Sequence, residues 1–465
     1  MQTAIHWFRR DLRLTDNTAL AAAAKSAQQV VPAYILSSWK KSHRWTGPNR
    51  QQFLCGCLAS LDANLRSIGS RLILREGDPV AALEQLAAET RAEAIFYNRD
   101  PDPHGQAVEQ RLAAAAKRLG IAIHAHKDIA LHERDEVLTG SGENFRVFTP
   151  YHRAWQKLPK PAPLARIKSI STPAAPVSLP LPDNSRWQLP AGATGVVEPG
   201  EKAARARMRD FAENRLHTYG AERDIPSGLH TSRLSQDLRF GLISIRELHQ
   251  ACTSRADSLD AGGRGSAMKY IAELAWREFY MQILWKFPEV LDREFNPKFR
   301  GMRWPGDPAR LASWKNGDTG FPIVDAAMRE LRDTGFMHNR TRMIAAMFLT
   351  KDLHLDWRLG EQHFMQTLCD GEIASNNGGW QWSAGTGADA APYFRIQNPW
   401  SQTKRFDPDG FYIKQWIPEL RDVPPALFQD PPAPGMRLAK NYPSPILDHS
   451  AARDFTLELF KQHQQ

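Results

Sequence analysis

Two hydrophobic periods divide this chain, and one kind of fold cannot serve both. Up to about residue 130, short apolar and often β-branched runs alternate with helical patterns; from about residue 201, apolar residues recur at spacings of three and four. The short runs are Thr3–Phe8, Val30–Leu36, Arg71–Leu74, Ala94–Tyr97 and Ile121–His126. Between them lie Arg50 to Ile68, a segment opened by Asp78-Pro79, and Gln106 to Leu119 closed by Gly120. Asp before Pro starts a helix, because the carboxylate caps free N–H groups and Pro lacks the N–H that would go unpaired. Gly120 suits the left-handed turn that ends one. The alternation predicts an open, mostly parallel sheet with helices on both faces.

The second half predicts a helical body, carried by Arg205–Tyr219, Ile245–Cys252, Ala267–Phe287, Ile323–Arg332 and Asn339–Leu353. Between the halves periodicity is lost. Lys157-Leu-Pro-Lys-Pro-Ala-Pro-Leu164 and Thr172-Pro-Ala-Ala-Pro-Val-Ser-Leu-Pro-Leu-Pro182 are proline-rich and read as a long link laid over the surface. A chain of 465 residues exceeds one ordinary core. The division expected is therefore an α/β domain over 1–130, a linker over 131–200 and a helical domain over 201–465.

A net charge of +9 has two readings. One is a well-solvated basic surface; the other is attraction to a polyphosphate, since each Lys or Arg that meets a phosphate releases a counterion. Cys55, Cys57, Cys252 and Cys369 are too few and scattered for a disulfide framework, so reduced thiols in a reducing compartment are expected. No apolar run approaches the roughly 20 residues that cross a bilayer, and the first ten residues lack an apolar leader. A cytoplasmic protein without a membrane partner is expected.

Four stretches bear chemistry. Asp370-Gly-Glu-Ile-Ala-Ser-Asn-Asn-Gly-Gly-Trp-Gln-Trp382 is a poor helix and a poor strand, because Gly is costly in either and Asn competes with the backbone for hydrogen bonds. It suits a backbone brought close to a flat polar ring. In Ala267–Phe287, Glu273, Trp276, Arg277 and Tyr280 share one helix face. That face is either a solvated Glu273–Arg277 ion pair or a carboxyl and an indole presented to a cavity. Tyr219-Gly-Ala-Glu-Arg-Asp224 precedes Thr231-Ser-Arg-Leu-Ser235, whose hydroxyls suit a helix cap or a phosphate cradle. In Met337-His-Asn-Arg-Thr-Arg342, Arg340 and Arg342 point different ways, one outward and one inward toward Asp370. Nine of the 14 tryptophans lie at or beyond Trp276; bulk packing accounts for several, but not for their clustering beside Asn, Gly and Arg. No Gly-x-Gly-x-x-Gly occurs, so the α/β half carries no dinucleotide fingerprint.

Glu273–Tyr280, Gly335–Met343 and Asp370–Trp382 together resemble the flavin- and DNA-binding half of the photolyase/cryptochrome family, closest to class I cyclobutane pyrimidine dimer photolyases. The resemblance reaches His6–Asn17 and Trp416-Ile-Pro-Glu-Leu420, and so nearly the whole chain. It implies a Rossmann-like α/β antenna domain and an all-α FAD-binding domain joined by a long linker. It also implies a monomer acting on UV-damaged DNA, in which light-excited FADH⁻ lends an electron to a flipped pyrimidine dimer and recovers it once the ring splits.

Residue by residue, the resemblance places FAD against Tyr219, Thr231, Ser232, Arg233, Leu234, Ser235, Tyr270, Arg277, Arg342, Asp370, Glu372 and Asn376. Asn376 would donate its amide to the reduced flavin ring. Trp380, Trp357 and Trp304 would be the electron-transfer chain, from flavin to surface. Glu273, Asn339 and Met343 would meet the lesion, Trp276 and Trp382 would flank it, and Arg223, Arg340 and Arg395 would touch phosphates. Phe336, Glu372, Glu222 and Tyr270 depart from the residues usual at their positions, which are Trp, Asp, a basic residue and Trp. Asn339, where a (6-4) photolyase usually has a second histidine, favours the cyclobutane dimer. Asn376 and the lack of a long C-terminal tail disfavour a cryptochrome photoreceptor. Tyr97–Gly105, after a strand, is the expected rest for an antenna chromophore: a deazaflavin, FMN or methenyltetrahydrofolate, with the first two closer in character.

Overall fold

A computed structural model of the chain describes residues 1–464. The first half folds as β1 (Thr3–Phe8), α1 (Thr18–Ser26), β2 (Gln29–Leu36), α2 (Pro48–Arg66), β3 (Ile73–Glu76), α3 (Pro79–Thr90), β4 (Ala94–Asn98), α4 (Pro103–Leu119) and β5 (Ala122–His126). The expected parallel sheet is present, in the order β3-β2-β1-β4-β5. Asp78 caps α3 by accepting from the Val80 and Ala81 amides, and Gly120 ends α4 at φ +68°.

Alternation along β1 sends side chains to opposite faces. Ile5 and Trp7 join Leu83, Leu86 and Leu112 in a core belonging to this half alone. Ala4 and Phe8 join Leu20, Phe53 and Leu58 in a core that runs on into the helical half, to Phe211, Leu248 and Phe279. The two halves are thus fused through one face of the sheet.

The segment 131–200 is more than a link. It contains α5 (Phe148–Lys157), whose Phe148, Tyr151 and Trp155 are buried in the shared core. Three anchors at helical spacing were hidden by the prolines that follow. The proline-rich run then lies along the sheet: Ser171 O accepts from the Val30 amide (2.8 Å), and Arg71 donates to the carbonyls of Pro173, Ala174 and Pro176.

The helical half comprises α6 (Glu201–Asn214), α7 (Tyr219–Glu222), α8 (Ser235–Phe240), α9 (Ile245–Asp257), α10 (Ala261–Lys286), α11 (Arg310–Asn316), α12 (Pro322–Thr334), α13 (Asn339–Met347), α14 (Trp357–Thr367), α15 (Ile373–Ala384), α16 (Pro399–Phe406), α17 (Phe411–Trp416) and α18 (His449–Gln464). The expected helix Arg205–Tyr219 breaks after Asn214, and the expected helix Asn339–Leu353 leaves α-geometry at a π-turn, Phe348–Asp352. A second core gathers Trp314, Trp357, Trp380, Phe364 and Tyr412. No described helix is long and apolar enough to cross a membrane.

Candidate active site

The site is built between α10 and α15. Despite its composition, Ile373–Ala384 is a helix, contrary to the sequence expectation. Tertiary contacts override its weak propensity. A Cβ on Gly378 would lie 2.2 Å from the Tyr280 ring of α10, so this glycine is what lets the two helices touch. Asn377 is buried and bonds the Val290 carbonyl (3.0 Å) and the Glu361 carboxylate (2.9 Å), while Gln381 bonds the same carbonyl (2.9 Å). Those residues hold the helix down. The opposite face, with Ser375, Asn376, Gly379 and Trp382, stays half-open, and a Cβ on Gly379 would meet nothing within 4 Å. One Asn376 N–H goes to the Glu361 carbonyl (3.1 Å), so the amide is oriented by the protein; its Oδ1 has no partner among the described residues.

At the start of α15, Arg342 donates to Asp370 (2.8 Å) and to the Met337 carbonyl (2.8 Å). Asp370 Oδ1 is buried and finds no partner among the described residues. A buried carboxylate oxygen left unpaired is costly and marks a place where a ligand donor belongs. Glu372 is committed elsewhere. It pairs with Arg277 (3.0 Å) and with Arg10 of the α/β half. Against the cost of burial, Arg277 and Arg10 pull its carboxyl down to about 2. Its role is to tie α15 and α10 to the sheet domain.

The suggested Glu273–Arg277 pair does not form. Arg277 is spent on Glu372 and the Ile129 carbonyl (2.8 Å), and Glu273 instead pairs with Arg223. Protein surrounds Glu273 on most sides, yet 36% of its side chain reaches solvent, as does 36% of Arg223. A carboxyl so placed is open to a ligand on one side. Burial pushes its pKa up and Arg223 opposes that shift. Arg223, expected at a phosphate, is turned inward onto this carboxyl. Trp276, one turn along α10, is half-buried and stacks on Phe148.

Around the rim, Asn339 and Arg395 are exposed, and Met343 is half-buried beside Arg340. Arg340 pairs with Asp224 (2.7 Å) and lies over Phe406. On the far wall, Tyr219 and Tyr270 are buried edge-to-face at 5.1 Å. Thr231, Ser232 and Arg233 are half-buried, Leu234 is buried and Ser235 exposed. The hydroxyls do not cap α8; Leu234 occupies that position without a side-chain bond. Arg233 sits at φ +53° and stacks over Phe336 at 3.5 Å.

The three tryptophans fall in one cluster, graded from inside to outside. Trp380 and Trp357 are buried and Trp304 is half-buried. Gly360 of α14 leaves room for the Trp380 ring, where a Cβ would lie 2.0 Å from it, and Phe364 lies 4.9 Å from the same ring. Trp357 donates to Glu294 (3.1 Å).

These residues fit a flavin nucleotide. The unpaired Asp370 oxygen offers an acceptor, Arg342 a cation beside it, and Gly379 a surface with no side chain. Sequence reasoning missed Arg10, Glu361, Asp224 and Phe148, each of which positions a site residue. No local spacing signals them, because each lies far along the chain from the group it holds.

Comparison with known proteins agrees with this geometry. Residues 4–168 match the DNA photolyase family and residues 270–462 match the FAD binding domain of DNA photolyase. The chain is 41% identical to a deoxyribodipyrimidine photo-lyase of Synechococcus sp., over 98% of this chain and 96% of that one. A bacterial class III photolyase from Agrobacterium tumefaciens superposes with a TM-score of 0.92 at 36% identity, over 100% of this chain and 98% of that one. An archaeal photolyase from Sulfolobus tokodaii, solved with two FAD molecules, superposes with a TM-score of 0.84 at 28% identity, over 99% of this chain and 100% of that one. By fold and by sequence over nearly its full length, the chain belongs to the DNA photolyase family.

Proposed function

We propose that this chain is a light-driven enzyme that splits cyclobutane pyrimidine dimers in DNA. The observation that carries the reading is the half-open Glu273 carboxyl beside Trp276, on the helix that touches α15 at Gly378, while Ser375, Asn376, Gly379 and Trp382 of α15 stay half-open. FAD in its reduced form, when bound, supplies the light-excited electron donor. Asp370, Arg342 and Asn376 would hold it, with Tyr219, Tyr270 and the 231–235 segment closing the nucleotide end.

The protein's own groups receive the lesion. Trp276 and Trp382 offer flat apolar faces to an everted pyrimidine pair, and a damaged pair is cheaper to unstack than an intact one. Glu273 hydrogen-bonds a pyrimidine carbonyl. Burial favours the protonated carboxyl and Arg223 opposes it. Drawing Arg223 onto a DNA phosphate removes that opposition and leaves Glu273 able to donate. Arg340 and Arg395 add phosphate contacts that carry no sequence preference. Buried Trp380 and Trp357 and half-buried Trp304, gathered in one aromatic cluster, support a path for reducing an oxidised flavin.

The Tyr97–Gly105 segment after β4 is the proposed rest for an antenna chromophore; the space beside it, lined by Arg99, Asp100, Glu133, Glu278 and Trp285, is only water-sized, so a chromophore there requires these side chains to part. The second FAD of the Sulfolobus tokodaii relative favours a flavin-like ligand. Four unpaired cysteines support the cytoplasm.

The test is to incubate the reduced, flavin-loaded protein with oligonucleotides carrying one cyclobutane dimer or one (6-4) product, in blue light and in darkness. Light-dependent restoration of the cyclobutane dimer is expected. Restoration of the (6-4) product alone would assign the other repair class, and no restoration would assign a photoreceptor.

A further inference from the structure

We propose that Phe148, from the segment between the two halves, is a positioning residue that sets the plane of Trp276 and thereby the preference for damaged over intact DNA. This rests on the reading that Trp276 meets the lesion. The Phe148 ring lies 3.7 Å from the Trp276 ring and within 9° of parallel. His152, one turn along α5, stacks on Phe148 at 5.3 Å and the same 9°. Phe279 meets the edges of both, at 5.9 Å from Phe148 and 5.6 Å from Trp276. Tyr280 leans toward the indole at 32° and 5.6 Å, and Trp276 stays half-buried. The indole therefore has one face fully backed, one edge walled and the rest open.

Face-to-face stacking is not the arrangement free aromatic rings choose; they prefer offset or edge contacts. Something outside the pair must impose it. Phe148 begins α5, and its amide donates to Asp389 (3.3 Å) from the loop after α15. Further along α5, Trp155 donates to the buried Glu278 of α10 (2.6 Å). The ring is thus pinned from both ends of its helix. An indole pressed on one face cannot tilt away from whatever stacks on the other, and a pyrimidine dimer rewards only a plane already set. Without the backing ring, Trp276 gains room to rotate, and ordering it again upon binding costs affinity.

The experiment measures dark binding of the flavin-loaded protein to a labelled duplex with one cyclobutane dimer and to the same duplex undamaged. Wild type, Phe148→Leu and Phe148→Tyr are compared. Leu keeps the bulk and loses the flat ring; Tyr keeps the ring. For Phe148→Leu, dimer affinity is expected to fall about three- to tenfold, the scale of an aromatic pair, with undamaged-DNA affinity and flavin absorbance of the folded protein unchanged. Phe148→Tyr should match wild type. Equal damaged-to-undamaged ratios in Phe148→Leu and wild type overturn the proposal, as does a Phe148→Tyr variant that falls with Phe148→Leu, or a Phe148→Leu loss shared by both duplexes or accompanied by flavin loss. A wild type without preference for the dimer instead overturns the repair reading, and this inference with it.

Discussion

The carboxyl end of the sheet and the site around α10 and α15 use the same kinds of residue to different ends. In open α/β folds a ligand usually sits where the strand order reverses, here between β1 and β4. This chain fills that crevice with its own side chains. Asp11 accepts from Asn17 (3.0 Å) and Asn98 (2.7 Å). Asp128 takes Arg13 (2.7 Å) and Arg246 (2.6 Å), and Arg246 also grips Asp16 (2.9 Å). Around α10, α13 and α15, Asp370 Oδ1 and His338 Nε2 are buried without partners among the described residues, and Glu273 is half-open to solvent. Spent hydrogen-bonding capacity marks structure; unspent capacity marks a binding site only where it is joined to exposure, as at Glu273, since His6 Nδ1 and Nε2 and Asp102 Oδ1 at the sheet end are also buried without hydrogen-bond partners among the described residues. Polar residues as such mark neither.

The contrast predicts separable failures. The largest is in the closed region: Asp128→Ala strands Arg13 and Arg246 and should cost about 3–5 kcal/mol, read as a lower denaturant midpoint. Flavin binding by the folded fraction should be unchanged; normal stability would break the comparison. In the open region, Glu273→Ala should weaken binding of a dimer-containing duplex about threefold to tenfold, the scale of a neutral hydrogen bond. Its Tm should move little, because the carboxyl is half-exposed.

Titration sharpens the same contrast. Burial pushes Glu278 and Glu361 up to about 7, above the ordinary carboxyl value, so the folded state holds their protons more tightly than the unfolded chain does. Their contribution is full below the unfolded value, near 4.3, and is lost as pH rises through about 7. Glu372, drawn down to about 2, contributes fully above the unfolded value and loses that contribution only as pH falls toward 2. Unfolding followed from pH 5 to 8 should therefore show a decline in stability that Glu278→Gln and Glu361→Gln each reduce and Glu372→Gln does not. The smallest effect on repair belongs to Trp304→Phe. Photoreduction of oxidised flavin should stop, while repair by pre-reduced enzyme proceeds as in wild type; normal photoreduction would remove Trp304 from the chain of donors.

Much of this was legible in local pattern. β1 matches its apolar run residue for residue, and Asp78-Pro79 and Gly120 bound their helices as the sequence predicts. The link was misread because α5 is short and its anchors are aromatic. The Asp370–Trp382 run was misread as non-helical because Gly378 pays its helical cost only once Tyr280 is known to lie against it. Of the paired asparagines, nothing local says that Asn377 is structural and Asn376 faces the cavity; Val290 and Glu361 decide it.

By itself the sequence determined the five strands, several of the helices, the change of pattern between the halves and the family, since period, caps and motif spacing are properties of neighbouring residues. Tertiary structure alone decided that Glu273 meets Arg223 and not Arg277, that Glu372 belongs to Arg10, and that Phe148 backs Trp276. Those pairings join residues 50 to more than 350 positions apart. The physical reason is that a side chain's partner is set by which surfaces burial brings together, and that is a property of the packed core.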